Sequence, residues 1–174
     1  MSIPLKPILG AAVALALGCV DAASPTATHA PIAPAATEAS AANLLSCPSS
    51  KTVTASGVIG ALGGVLQAGG VRVSIPLGAL LSATTISVTV PQSPYMEIDV
   101  SVPGVEHFVF QQPITVSVDY GRCDPSVTSG TSLTVWYIDS ATKQPIEAMP
   151  TVDDKLTHTV TFTTPHLSGY ALAN

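Results

Sequence analysis

Residues 57–90 read GVIGALGGVLQAGGVRVSIPLGALLSATTISVTV. Within this stretch VRVSIP (71–76) puts Val71, Val73 and Ile75 on one side of an extended chain, and TTISVTV (84–90) does the same with Ile86, Val88 and Val90. Side chains repeat every second residue along a strand, so each segment has one face to bury and one to leave in water. The preceding VIGALGGVLQAGG (58–70) is the nearest approach to a helix, but its five glycines each cost a helix up to about 1 kcal/mol. It is read as strand, tight turn, strand.

The same period of two runs outward from there. YMEIDVSV (95–102) aligns Met96, Ile98, Val100 and Val102, and ITVSVDY (114–120) aligns Ile114, Val116, Val118 and Tyr120. TSLTVWYI (131–138) offers Leu133, Val135 and Tyr137, and LTHTVTFTT (156–164) offers Leu156, His158, Val160 and Phe162. Pro76, Pro91, Pro103, Pro113, Pro145 and Pro165 are assigned to strand ends, where a missing N–H breaks no ladder. DSATKQP (139–145) and TVDDK (151–155) read as hairpin turns whose aspartates accept backbone amides, rather than as calcium loops with oxygen ligands at short regular intervals. So many half-buried strands must cover one another. The expected fold is all-β, an antiparallel β-sandwich of two sheets packed about 10 Å apart, with a closed barrel as the alternative.

At 174 residues with 47% apolar side chains, the chain supports one sizeable core and hence one folded domain. The net charge is -5, and the basic residues beyond the first few positions (Lys51, Arg72, Arg122, Lys143, Lys155) are scattered. Nucleic acid is therefore not an expected partner.

Residues 1–18, MSIPLKPILGAAVALALG, carry one lysine and then an apolar run, as a secretory leader does. The run is broken early by Pro4 and Pro7 and is shorter than the roughly 20 residues of a spanning helix. It stops at ALGC and resembles a bacterial lipoprotein leader, which implies lipid on Cys19 and attachment to the bacterial membrane; ordinary secretion and a retained helix are the alternatives. Ala16 stands where that resemblance favours leucine. Residues 19–46 follow as a tether of Ala, Pro, Ser and Thr, unable to bury enough surface to offset about 1–2 kcal/mol of backbone entropy per residue. His29 falls inside it and is read as solvated. The sandwich is assigned to 47–174.

After Cys19, two cysteines remain, Cys47 and Cys123. In an exported protein an even pair points to a disulfide, here closing a long loop; two free thiols and a reactive thiol are the competing readings.

The order of elements in 57–90 resembles the opening of the domain shared by zonula occludens proteins, netrin receptors and ankyrins. The residues that carry it are Gly63 and Gly64, Gly70 through Ile75 with Pro76, Gly78 with Ala79, and Thr85 with Ile86; further on, FVFQQPITVSVDY (108–120) supplies Phe110, Pro113, Ile114, Val116 and Val118. The resemblance spans about 57–174 and implies a β-sandwich that serves as an interaction module. Some members of that family cut themselves within His-Phe-Ser, the serine attacking the preceding carbonyl. In PHLSGYAL (165–172) His166 and Ser168 match and Leu167 replaces the phenylalanine. The pair is read as structural, part of a last strand whose Tyr170 and Leu172 complete the core.

His158 is read as a partly buried strand histidine, and convergence of His158, His166 and Asp153 or Asp154 on a metal is the weaker reading. No catalytic residue, cofactor or metal ligand is assigned. The expected function is a lipid-anchored, extracytoplasmic binding or structural module of the bacterial envelope, meeting an envelope or surface protein without catalysis. A self-cleaving domain using His166 and Ser168, or another extracytoplasmic hydrolase, is the alternative.

Overall fold

The computed structural model describes residues 44–174; the leader, Cys19 and His29 lie outside them. The described chain forms β1 (Ser46–Ser49), β2 (Val53–Ile59), β3 (Gly64–Ala68), β4 (Val71–Ile75), β5 (Thr84–Val90), β6 (Ser93–Tyr95), β7 (Glu97–Ser101), β8 (Val109–Asp119), a helical turn α1 (Pro125–Thr128), β9 (Thr134–Ile138), β10 (Pro145–Ala148), β11 (Thr151–Asp154), β12 (Thr159–His166) and β13 (Gly169–Ala173). Six strands form one sheet in the order β10-β9-β13-β7-β5-β2, five form a second in the order β11-β12-β8-β4-β3, and β1 pairs with β6 as a short ribbon. All of these pairings are antiparallel. The inner faces meet as a β-sandwich whose core takes the alternating residues of β4, β5, β7, β8 and β12, including Val73, Ile86, Val88, Ile98, Val116 and Phe162.

The strand-turn-strand reading of 58–70 holds: β2 leaves the six-stranded sheet, turns at 60–63 and returns as β3 in the other sheet. Gly63 makes the turn possible. Its φ is +76°, and a Cβ there would sit 2.3 Å from the Ile75 carbonyl oxygen, so both conformation and space exclude a side chain.

The register defines two poles. The described chain begins at the near pole, where Leu44 bridges Ala173 and the Leu45 amide donates to the Leu172 carbonyl. Leu44 and Leu45, assigned to the tether by composition, are both buried. A Cys47–Cys123 disulfide joins β1 to the loop after β8. Arg122 donates to the Cys47 and Pro48 carbonyls at 3.3 and 2.9 Å. The Asp153 side chain, 4% exposed, accepts the Tyr120 hydroxyl at 2.8 Å, the Leu133 amide at 2.8 Å and the Lys155 ammonium at 2.9 Å. Lys155 also donates to the Thr128 carbonyl at 2.9 Å, which ties α1 to the β11–β12 turn. Burial, and then the bond to Asp153, push the Tyr120 phenol up to about 12, so it remains a donor. The far pole carries the 60–63 turn, the 76–83 loop, the 102–108 loop, the 139–144 turn and the crossing from β12 to β13.

Four expectations are corrected. Pro113 and Pro165 lie within β8 and β12, not at strand ends. Thr164 pairs with Ile114 and His166 with Val109, so the ladder is broken between them by a bulge, and both prolines sit at that break where no N–H is required. Leu156 is 93% exposed in the β11–β12 turn, and His158 is exposed with φ +51°, because β12 starts only at Thr159. TVDD (151–154) is strand β11, not turn: Asp154, its last residue, caps the turn that follows through the Leu156 and Thr157 amides, and Asp153 lies within the strand. His166 and Ser168 do not share a strand: β12 ends at His166 in one sheet and β13 begins at Gly169 in the other.

Alternation also understates burial. Trp136 and Ile138, on the face of β9 opposite Val135, form a second cluster with Leu44, Ala171 and Ala173, so β9 and β13 are covered on both sides.

Candidate functional site

Two residues, Leu167 and Ser168, carry the chain from one sheet to the other at the far pole. The Leu167 amide donates to the Phe108 carbonyl at 3.1 Å, and the Ser168 carbonyl accepts the Val100 amide at 3.0 Å. Tyr170 pins the corner. Its hydroxyl, the Thr164 hydroxyl and the His166 carbonyl oxygen form a triangle with sides of 2.7, 2.9 and 2.9 Å, and the two hydroxyl protons serve two of those sides. Burial above all pushes the Tyr170 phenol up, so it stays protonated and able to donate.

The His166 imidazole is occupied by tyrosines. Its ring centre lies 5.3 Å from that of Tyr137, edge to face, and its Nδ1 lies 3.4 Å from the Tyr170 hydroxyl. Among the described residues no hydrogen bond joins His166 to Ser168. A general base must reach the proton that it removes, and this one faces the phenol instead.

Beside the corner opens a cleft of about 380 Å³. Four segments line it: 99–101 of β7, 105–109 leading into β8, Tyr137 and Ser140 at the end of β9, and 166–169. Each is placed by a feature already described. The bulge at Pro113 and Pro165 carries 105–109 over the pole, and the Asp99–Gly169 and Gly169–Ile138 pairings set the floor. A Cβ on Gly169 would meet the Ser140 hydroxyl at 2.6 Å, so glycine keeps this wall thin. The cleft thus combines two carboxylates (Asp99, Glu106), two imidazoles (His107, His166), serine hydroxyls and the rings of Phe108 and Tyr137, with neither lysine nor arginine in its lining. Burial pushes the Asp99 carboxyl above the usual carboxylate range, against a hydrogen bond from Ser101 and the attraction of Lys143.

His166 and Ser168 line one cavity, although they do not share the strand face that their spacing suggested. His158 does not join them: it sits at the near pole beside Tyr120, with which it makes an edge contact at 5.7 Å, and Asp153 and Asp154 are at that pole too. Among the described residues no group of three or more His, Cys, Asp or Glu is placed to hold a metal ion. Asp99, Glu106 and His107 were missed by sequence reasoning. The only available signal was the polar alternates of β7, where Glu97 and Asp99 put two acids on one face.

The chain was compared with protein-family models and with curated proteins, and neither comparison gives a match.

Proposed function

We propose that the chain is a lipid-anchored binding module of the bacterial envelope. Lipid on Cys19 holds it to the membrane, 19–46 act as a spacer, and the sandwich presents its far-pole cleft to an envelope or surface protein without catalysis. Each buried CH₂ of the lipid contributes about 0.8 kcal/mol, so several chains on one cysteine suffice to retain the domain. The observation that carries the reading is the place of the aromatic, acidic cleft at the pole opposite the one where the described chain begins and is cross-braced; a second cavity, of about 500 Å³, lies at the braced pole beside Lys155 and His158. The resemblance of residues 57–174 to the domain of zonula occludens proteins, netrin receptors and ankyrins, which no family model matches, is in keeping with an interaction role.

Self-cleavage before Ser168 is the second reading, favoured by the place of the half-buried His166 and Ser168 in the lining of one cleft. Against it stand the engagement of the imidazole with Tyr170 and the position of the tail. The tail forms β13, paired on both edges and buried along its whole length, so a cut would leave it held in the sheet.

Two measurements test the proposal. In a bacterium that processes lipoproteins, a labelled fatty acid is expected on the wild type and absent from Cys19→Ser, with the variant released in soluble form; an unlabelled, membrane-bound wild type contradicts the anchor. Intact mass after long incubation at neutral pH is expected to match for wild type and Ser168→Ala, allowing for the substitution. A wild type cut before Ser168 would establish the second reading.

A further inference from the structure

We propose that the far-pole cleft takes a cationic group carried on an apolar stem, the ammonium or guanidinium of a basic side chain or of a free amine. The inference rests on the binding role proposed above and names the chemistry of the ligand. Charge decides the sign. Among the described residues the lining holds the carboxyl groups of Asp99 and Glu106 and neither lysine nor arginine, so an anionic ligand would meet acidic groups with no basic side chain to offset them.

Asp99 has room for such a partner. Among the described residues it makes no ion pair, because Lys143, the ammonium closest to it in effect, is held by Glu97 at 2.6 Å, and that carboxylate is only 3% exposed. Lys143 thus neutralises a buried neighbour. An arriving cation supplies what Asp99 lacks and offsets the burial that raises its carboxyl.

The aromatic walls suit the rest of the ligand. Phe108, Tyr137 and His166 offer ring faces and edges to a methylene stem, and a ring face within about 6 Å also attracts a cation. A volume of about 380 Å³ lies at the small end of ligand sites, the size for a single side chain.

The test is a chemical-shift titration of the isotope-labelled full chain with four probes: a blocked Gly-Lys-Gly peptide, n-butylammonium, a blocked Gly-norleucine-Gly peptide, and N-acetylglucosamine. Saturable shifts at the Ser101, Tyr137 and Gly169 amides are expected with the two ammonium probes, and none with the norleucine peptide, which keeps the apolar stem and lacks the ammonium group. Stronger binding of the lysine peptide than of butylammonium assigns a protein side chain as the natural source, and equal binding assigns a free amine. Asp99→Asn is expected to weaken the ammonium probes about tenfold, and Glu106→Gln, on an exposed loop, to weaken them less. Equal response to lysine and norleucine peptides, or unchanged affinity in Asp99→Asn, overturns the proposal. Saturation by the sugar alone overturns the cation assignment while leaving the cleft a binding site, and silence from all four probes overturns the cation assignment as well.

Discussion

The near and far poles of this sandwich are closed by the same kinds of loop, yet they use their polar side chains in opposite ways. At the near pole each charged group in the interior has its partner: Asp153 takes three donors, Lys155 reaches from it to the Thr128 carbonyl, and Arg122 ties β1 to the loop after β8 beside the disulfide. At the far pole Lys143 neutralises the buried Glu97, but Asp99 is partly buried without an ion pair among the described residues, Glu106 and His107 stand exposed, and Leu62, Leu77 and Leu81 are exposed on neighbouring loops. Charged groups that pair with one another stabilise a fold, whereas carboxylates left without an ion-pair partner at a concave surface are available to something else. The contrast places the cross-bracing at one end, and the proposed function would put recognition at the other.

The sharpest way to break that division is to cut the braces. Replacing Cys47 and Cys123 by alanine removes a cross-link over a 76-residue separation, and guanidinium unfolding is expected to show a loss approaching 4 kcal/mol. A loss below about 1 kcal/mol would mean that the near pole is not specially braced. Asp153→Ala should follow with about 2–3 kcal/mol, since it leaves the Leu133 amide and the buried Tyr120 hydroxyl together without their acceptor.

Acid titration sharpens the same point, because the two aspartates shift in opposite directions. Burial raises the Asp153 carboxyl, but the Leu133 amide, Lys155 and Tyr120 outweigh it, so the folded value lies below the usual 3.8. The stability from Asp153 is then fully present above that usual value and is lost as pH falls through the depressed one; Asp153→Asn should flatten this acid limb. Asp99 is raised, so the unfolded chain ionises first, and stability declines as pH rises through the raised value. Asp99→Asn is accordingly expected to be as stable as wild type at neutral pH, or more so. A marked loss there would make Asp99 a structural residue like Asp153.

Smaller effects come from the far pole itself. Tyr170→Phe removes the hydroxyl from the corner triangle and should cost about 1 kcal/mol, leaving the Thr164 hydroxyl to serve the His166 carbonyl. His107→Ala and Ser168→Ala, which touch only the cleft, should stay within about 0.5 kcal/mol of wild type in the same unfolding measurement.

The division between poles also separates what alternation could reveal from what it could not. Val71, Val73 and Ile75, or Ile114, Val116 and Val118, announce their buried face because a strand has only two faces and one must be dry. The cysteine pair was legible from its even count. By contrast, Leu156 and His158 continue the alternating pattern past the point where the ladder stops, because a hairpin turn imposes no hydrophobic period of its own. The interior positions of Pro113 and Pro165 depend on a bulge shared by two strands about fifty residues apart in sequence, and neither strand encodes it alone. The cleft is less legible still. His166 and Ser168 were visible as a pair, but Asp99, Glu106, His107 and Tyr137 reach them from three other segments, and only strand order brings those together.

The most direct test of the division is to carry a photo-activated cross-linking residue at His107, in the cleft, and separately at Leu156, in the exposed near-pole turn, and to irradiate living bacteria expressing each full chain. A discrete adduct is expected from the His107 variant, competed by the blocked Gly-Lys-Gly peptide when isolated envelopes are irradiated, and none from Leu156, although that residue is 93% exposed. Adducts from Leu156 alone, or the same adduct from both positions, would contradict the assignment of recognition to the far pole.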